Sequence, residues 1–291
     1  MTDKIEKFYA IIVAAGTGKR MNSSVKKQYM EISGYPVLYH TLKAFEESNV
    51  DEIIIVTGAD ETEYVTEEIV GKYGFKKVKA VCIGGKERYD SVYEGLKVLL
   101  ENCSSADATT YCDEQGNCKV RDNGCKNHAK SEGCGYVLIH DGVRPLISVD
   151  LINSCIEKVA EYEAVIPGVP EKDTVKEANA EMEVVGTPDR KKLYRIQTPQ
   201  CFELKLIREA FEKFYSKVRL DNKTNMESRR ETRQSENPKG DSSVSITDDA
   251  MLVEKYTGHK VKIIEGDYKN IKITTPEDIG LAEFYLKSTK D

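Results

Sequence analysis

The stretch AAGTGKRMNSSVKKQY, Ala14 to Tyr29, holds Gly16 and Gly18 together with the cations Lys19, Arg20, Lys26 and Lys27, and contains no acid. It follows an apolar run, Tyr9 to Val13. Glycines let the backbone take unusual dihedrals and come close to a ligand, and backbone N–H groups at such a turn donate to anions. A strand leading into a small-residue, cationic turn is therefore suited to phosphate. A P-loop would need G-x-x-x-x-G-K-[ST], which is absent here. A dinucleotide fingerprint would need a third glycine where Met21 stands. An ordinary tight turn with solvated lysines has the same composition in miniature, but four cations beside two glycines favour an anion. Further stretches repeat the theme: GGKERYDS (Gly84 to Ser91), HDGVRP (His140 to Pro145), PEKDTVK, TPQ and NIKITTPED (Asn270 to Asp278).

These stretches must be held by something, and the hydrophobic pattern says what. Apolar runs at Ala10–Val13, Glu52–Thr57, Val78–Ile83, Tyr136–His140 and Ala164–Val169 read as strands. Between them lie helical spacings at Val37–Glu47, Asp60–Tyr73, Arg88–Leu100 and Val149–Tyr162. Such alternation predicts an α/β fold, a mostly parallel sheet with helices on both faces. The pattern resumes late, with helices at Leu204–Phe214, Asp248–Tyr256 and Pro276–Leu286 and strands at Lys260–Glu265 and Asn270–Ile273. In an open parallel sheet the strand carboxyl ends share one crevice, so the quoted stretches are expected around a single cleft.

The chain of 291 residues is read as one domain, 1–291, interrupted in three places. Residues 102–135, rich in Asn, Asp, Gly and Cys, are expected to be a surface insertion. Residues 170–194 read as short strands and polar turns, an arm projecting from the sheet. Residues 218–243 are nearly free of apolar side chains and are expected to be a disordered insertion. The net charge of −6 excludes non-specific nucleic-acid binding, which needs a basic face. No apolar run approaches the ~20 residues of a membrane span, and Met1–Phe8 lacks a signal-peptide core, so a cytoplasmic protein is expected. Of eight cysteines, Cys103, Cys112, Cys118, Cys125 and Cys134 fall in the first insertion. With His128 they could bind zinc, but no C-x-x-C pair is present, and free thiols are the expectation.

Taken as a set and in this order, AAGTGKRMNSSVKKQY, GGKERYDS, HDGVRP, KDTVK, TPQ, ITDDA and NIKITTPED resemble the 2-C-methyl-D-erythritol 4-phosphate cytidylyltransferases of the non-mevalonate isoprenoid pathway. The resemblance implies a Rossmann-like nucleotidyltransferase fold and a homodimer held by exchange of the arm. It implies transfer of a cytidylyl group from CTP to methylerythritol phosphate, with Mg²⁺ and release of pyrophosphate. It makes Arg20 and Lys27 the cations of the transition state, Lys272 a holder of substrate phosphate, and Lys172 a second holder supplied by the partner's arm. Ala14, Ala15, Gly16, Gly18, Gly85 and Ser91 would line the nucleotide pocket. Asp141 and Arg144 would hold the sugar alcohol, Asp141 also the metal. Two positions depart from the family pattern: Lys26 stands where proline is usual, and Lys172 where arginine is frequent.

The residues agree with that chemistry. A phosphate monoester, with its second pKa near ~6, arrives ionised, so no general base is required and no Ser–His or Cys–His pair is evident. The obstacle is charge repulsion at the α-phosphate, which placed cations relieve. Ribitol 5-phosphate is the alternative acceptor, and a nucleotide-binding module without turnover is the alternative from another class.

Overall fold

The computed structural model describes residues 6–16, 18, 21, 25–104, 110–112, 118–120, 135–231 and 246–288. In chain order the strands and helices are β1 (Phe8–Val13), β2 (Glu31–Ile32), β3 (Tyr35–Pro36), α1 (Val37–Glu47), β4 (Glu52–Thr57), α2 (Thr62–Tyr64), β5 (Val78–Ile83) and α3 (Arg88–Ser104). Then come β6 (Thr110–Cys112), β7 (Cys118–Val120), β8 (Tyr136–Asp141), α4 (Val149–Tyr162), β9 (Ala164–Pro170), β10 (Glu177–Ala178), β11 (Val184–Gly186) and β12 (Tyr194–Ile196). The chain closes with β13 (Gln200–Glu203), α5 (Leu204–Glu231), α6 (Asp249–Thr257), β14 (Lys262–Glu265) and α7 (Pro276–Ser288).

The main sheet runs β12-β9-β13-β8-β1-β4-β5, with β14 also on β9. Pairs β8–β1, β1–β4 and β4–β5 are parallel, as is β14–β9. Strand alternation sends successive side chains to opposite faces. Ile11, Ile54, Val56, Val137 and Ile139 face one core, closed by Val92, Leu96 and Leu99 of α3, Ile207 and Phe211 of α5, and Leu252 of α6. Ala10, Ile12, Ile53, Ile55 and Leu138 face the other, closed by Leu38, Leu42 and Phe45 of α1 and Ile152 and Cys155 of α4. Each fully buried aliphatic side chain stabilises the fold by ~1.5–3 kcal/mol. A smaller third cluster, Met21, Ile32, Val37, Val143, Ile273 and Ala282, fastens α7 and the segment before it to the β2–β3 hairpin and the turn after β8.

Three expectations from the sequence differ from the fold. Gln200–Glu203 is a strand, antiparallel to both β8 and β9, so the sheet is mixed on that side. Four residues show too little periodicity to announce it. Asn270–Ile273 is not a sheet strand; its backbone bond to the turn after β8 is Ile273 N–H to Val143 O at 2.9 Å. The helix expected to stop at Phe214 continues as α5 to Glu231, covering 218–231 of the segment expected to be disordered. Those residues are mostly good helix formers, and Pro238 and Gly240 come later; 232–245 lie outside the described residues. In the cysteine-rich segment, β6 and β7 pair as an antiparallel hairpin, while Cys125, His128 and Cys134 lie outside the described residues. The three other cysteines, Cys82, Cys155 and Cys201, are buried free thiols.

Helix α3 lies tight on the sheet at Gly95, where an added Cβ would stand 2.8 Å from Ile11 Cγ2 and 3.0 Å from Val56 Cγ2. Gly95→Ala should therefore destabilise despite the better helix former, by about 1 kcal/mol net once ~1–3 kcal/mol of overpacking is set against the propensity gain. A lowered urea midpoint at unchanged slope checks this.

Candidate active site

The register of the parallel strands brings their carboxyl ends level. Val13 pairs with both Val56 and Asp141, and Thr57 with Ile83. The chain then turns outward under backbone control: Ala14 N–H donates to Val56 O, Gly84 N–H to Thr57 O and Gly142 N–H to Val13 O, at 2.7, 2.8 and 2.9 Å. The three loops that follow enclose a cleft of about 280 Å³. Its walls include Ala14, Ala15 and Gly16 of the first loop, Gly85, Lys86, Arg88 and Ser91 of the second, Asp141 of the third, and Lys27 and Lys272.

Asp141 is the anion at the centre. Its Oδ1 lies 3.2 Å from Arg88 Nε, and its Oδ2 lies 3.0 Å from Lys272 Nζ and 3.4 Å from Arg144 Nε. Burial alone would raise its pKa, but Arg88, Lys272 and Arg144 outweigh that and hold the carboxyl well below the usual carboxylate range. Arg88 is itself shared. Its Nη1 reaches Asp249 Oδ2 at 2.8 Å, and Asp249 is completely buried. Burial disfavours the charged guanidinium, yet the two carboxylates more than compensate and raise its pKa. Burial in turn pushes the Asp249 carboxyl up, against the pull of Arg88.

The TPQ stretch explains how Asp249 is set in place. Gln200 Oε1 accepts from the N–H groups of Asp249 and Ala250 at 2.9 and 3.0 Å, and Gln200 Nε2 donates to Asp248 Oδ2 at 2.9 Å. Asp248 caps α6 by accepting from Met251 N–H. Thr198 receives Asp141 N–H on its hydroxyl at 3.2 Å, and that hydroxyl meets His140 Nδ1 at 3.0 Å. His140 is fully buried, and its Nε2 has no hydrogen-bond partner among the described residues. Burial lowers its pKa to about 3 and keeps it neutral.

In the first loop, Gln28 donates from Nε2 to Ala14 O at 2.8 Å and to Gly16 O at 3.2 Å, tying the loop's two ends. Lys27 reaches Ile273 O with Nζ at 2.9 Å. Gly18 adopts φ +64°, a left-handed conformation that favours glycine. Gly16 does not need such a conformation; an added Cβ there would meet open space. In the second loop Gly85 has no room for a side chain, since a Cβ would stand 2.3 Å from Asp90 Cβ, and its N–H donates to Ser91 Oγ at 3.2 Å.

Most of the residues expected at the site meet here: Ala14, Ala15, Gly16, Lys27, Gly85, Ser91, Asp141 and Lys272. Gly18 packs behind them against Lys27. Arg144 is not a wall residue. It is buried behind Asp141 and donates from Nη1 to Asn270 O at 2.8 Å. Lys172 stands apart at the base of the arm, its Nζ 3.5 Å from the centroid of the Tyr268 ring. Arg20 lies outside the described residues. Arg88 and Gln28 also line the cleft, and Asp249 holds Arg88, three residues whose place no local spacing announces. Arg88 lies inside GGKERYDS and Asp249 inside ITDDA, stretches whose composition signals a loop but not the pairing of these two side chains.

A family model described as 2-C-methyl-D-erythritol 4-phosphate cytidylyltransferase matches residues 8–106, 121–227 and 228–288. The chain belongs to this family. The 2-C-methyl-D-erythritol 4-phosphate cytidylyltransferase of Lachnoclostridium phytofermentans is 42% identical over 99% of this chain and 99% of its own length. That of Lachnospira eligens is 40% identical over 96% of this chain and 98% of its own. The crystal structure of 4-diphosphocytidyl-2C-methyl-D-erythritol synthase from Anaerococcus prevotii superposes with a TM-score of 0.67 at 33% identity, covering 97% of this chain and 96% of that one. The cytidylyltransferase structure from Francisella tularensis gives 0.64 at 25% identity, covering 96% and 99%. Membership in the family makes the chain a cytidylyltransferase with the α/β sheet described above.

The buried histidine at that cleft gives a pH signature. An unfolded histidine takes up a proton near ~6.5, while folded His140 does not until about 3. Stability is then complete above ~6.5 and falls with acid, by about 2 kcal/mol at pH 5. The depressed Asp141 carboxyl works in a lower window: its contribution is present above ~3.9 and is lost only below that. Urea unfolding of wild type and His140→Asn between pH 7 and 5 should show the histidine part of the slope vanish in the variant.

Proposed function

We propose that the chain transfers the cytidylyl group of CTP to 2-C-methyl-D-erythritol 4-phosphate, giving CDP-methylerythritol and pyrophosphate in the non-mevalonate route to isoprenoids. One observation carries the reading. In a chain of this family, a buried aspartate at a small-residue cleft gathers cations from two distant segments, Arg88 and Lys272, and from its own turn, Arg144.

The phosphate of the acceptor attacks the α-phosphorus of CTP, and the bond to the departing pyrophosphate breaks. Both reactants are anions, so the residues' task is placement and charge. Lys27 and Arg20 stabilise the charge that develops on the α-phosphate and the leaving oxygens. Lys272 holds the acceptor phosphate. Ala14, Ala15, Gly16, Gly85 and Ser91 admit the cytidine by presenting backbone and small side chains, and Gly18 gives the first loop its turn. Asp141 holds the sugar hydroxyls, with Arg144 bracing it from behind. Magnesium suits this donor set as an ion that comes with the nucleotide, since Mg²⁺ is held by one or two carboxylates plus substrate phosphates. Asp141 is the buried carboxylate of the cleft, and the three cations on it leave little for a resident ion. Asp141 would be the protein ligand of magnesium, and the chemistry the ion would supply there is neutralisation of phosphate charge.

The arm supports a homodimer. Met182, Val184 and Val185 are 83, 61 and 63% exposed at its tip, an apolar surface that a second copy would cover. Lys172 at the arm's base would then serve the cleft of the second copy. CTP and the acceptor are soluble small molecules, in keeping with action in the cytoplasm; among the described residues no helix is long and apolar enough to cross a membrane.

Pyrophosphate release should occur with CTP, Mg²⁺ and methylerythritol 4-phosphate and not with ribitol 5-phosphate. Release with ribitol 5-phosphate alone would move the chain to polyol-phosphate activation. CTP binding without release would favour a non-catalytic module. Lys27→Ala should lower kcat by about 10²–10³-fold, with circular dichroism unchanged; near-wild-type turnover would remove Lys27 from its role. Val184→Asp should shift the sedimentation profile toward monomer.

A further inference from the structure

Two adjacent lysines could serve the cleft, Lys26 and Lys27, and the fold separates them. Lys27 lines the cleft and Lys26 does not. The Lys26 ammonium is instead paired with the Glu61 carboxylate, which belongs to the turn after β4. Glu61 is 7% exposed and receives two further donors, Tyr29 O–H at 2.7 Å and Gly58 N–H at 3.3 Å. Burial raises the Tyr29 phenol, so it remains a donor. Its ring packs edge-on against Tyr64 at 5.0 Å. Lys26 and Tyr29 thus pin both flanks of the single 3₁₀ turn Lys27–Tyr29 to one carboxylate.

The energetics run one way. A buried carboxylate that loses its cation is left uncompensated, at a high cost. The cost falls on Glu61, since the Lys26 side chain is itself 40% exposed, and Glu61 keeps Lys26 as its counter-charge, whereas the neighbouring Lys27 lines the cleft wall. The backbone at Lys26 has φ −66°, the value to which a proline ring would confine it, and its ψ of 140° is one that proline also adopts. A lysine there has no intrinsic stiffness, so the Glu61 anchor supplies it.

We infer that Glu61 is a positioning residue for the cytidylyl transfer, holding Lys26 out of the cleft and fixing the turn that aims Lys27 at the phosphates. This rests on the function proposed above. Glu61→Gln keeps the shape and an oxygen for Tyr29 and Gly58 but removes the ion pair.

The test has two arms. In the kinetic arm, Glu61→Gln should lose about tenfold in kcat with a smaller change in KM for CTP. The double variant Lys26→Pro/Glu61→Gln should recover most of that turnover, because the ring restores the stiffness and removes the competing ammonium. Unchanged kcat in Glu61→Gln, or no recovery in the double variant, overturns the inference while leaving the proposed function intact. The second arm needs no turnover. Acetylation of amines followed by mass spectrometry should label Lys26 several times faster in Glu61→Gln than in wild type, with Lys158 as the exposed control. Equal Lys26 labelling in the two proteins overturns the inference even if wild type released no pyrophosphate, an outcome that would itself sink only the functional reading.

Discussion

The architecture of the site depends on one buried anion. Asp141 faces Arg88 from the start of α3, Arg144 from the turn after β8, and Lys272 from the segment before α7. Three cations crowded into a low-dielectric cleft would repel one another strongly. Asp141 makes their assembly tolerable before any phosphate is present, and Asp249 gives Arg88 a second counter-charge. Under the function proposed above, an anionic substrate would meet Arg88 and Lys272 already oriented, which is the condition for stabilising charge without reorganisation.

Holding that anion in place takes most of the molecule. The parallel register of β1 and β8 sets Val13 opposite Asp141, so the first loop and the aspartate leave the sheet side by side. The third apolar cluster then fastens the remote segment carrying Lys272 to the turn after β8. Lys27 bonds to Ile273 O, adjacent to Lys272, across 246 residues of chain. The two large cores stabilise the sheet, and the small cluster places the cations. The antiparallel β13 contributes in another way: it delivers Gln200 to the start of α6, and through it Asp249 to Arg88.

Polar satisfaction around the cleft is nearly complete, and the exceptions cluster there. Gln28 Oε1, His140 Nε2, Asp249 Oδ1 and Asn270 Oδ1 are the buried side-chain atoms without a hydrogen-bond partner among the described residues. All four side chains belong to the network supporting Asp141, Arg88 and the first loop. Unpaired buried polar atoms lower stability, so this shell is where the fold trades stability for a site of fixed shape.

Much of this was legible in the residues alone, because it rests on local periodicity. The helices Val37–Glu47 and Val149–Tyr162 and the strands Glu52–Thr57 and Val78–Ile83 have the bounds read from spacing. The expectation that Ala14–Tyr29 binds phosphate rests on glycines and cations within a few positions of each other, and Ala14, Ala15, Gly16 and Lys27 of that stretch line the cleft. What the sequence could not determine are pairings between distant segments. Arg88 and Asp249 are 161 residues apart, Arg144 and Asn270 126, Lys26 and Glu61 35. No spacing rule reaches across such separations. Whether a given arginine lines the cleft or braces it from behind, and which of two neighbouring lysines points inward, is decided by the carboxylate or carbonyl that folding brings to each side chain.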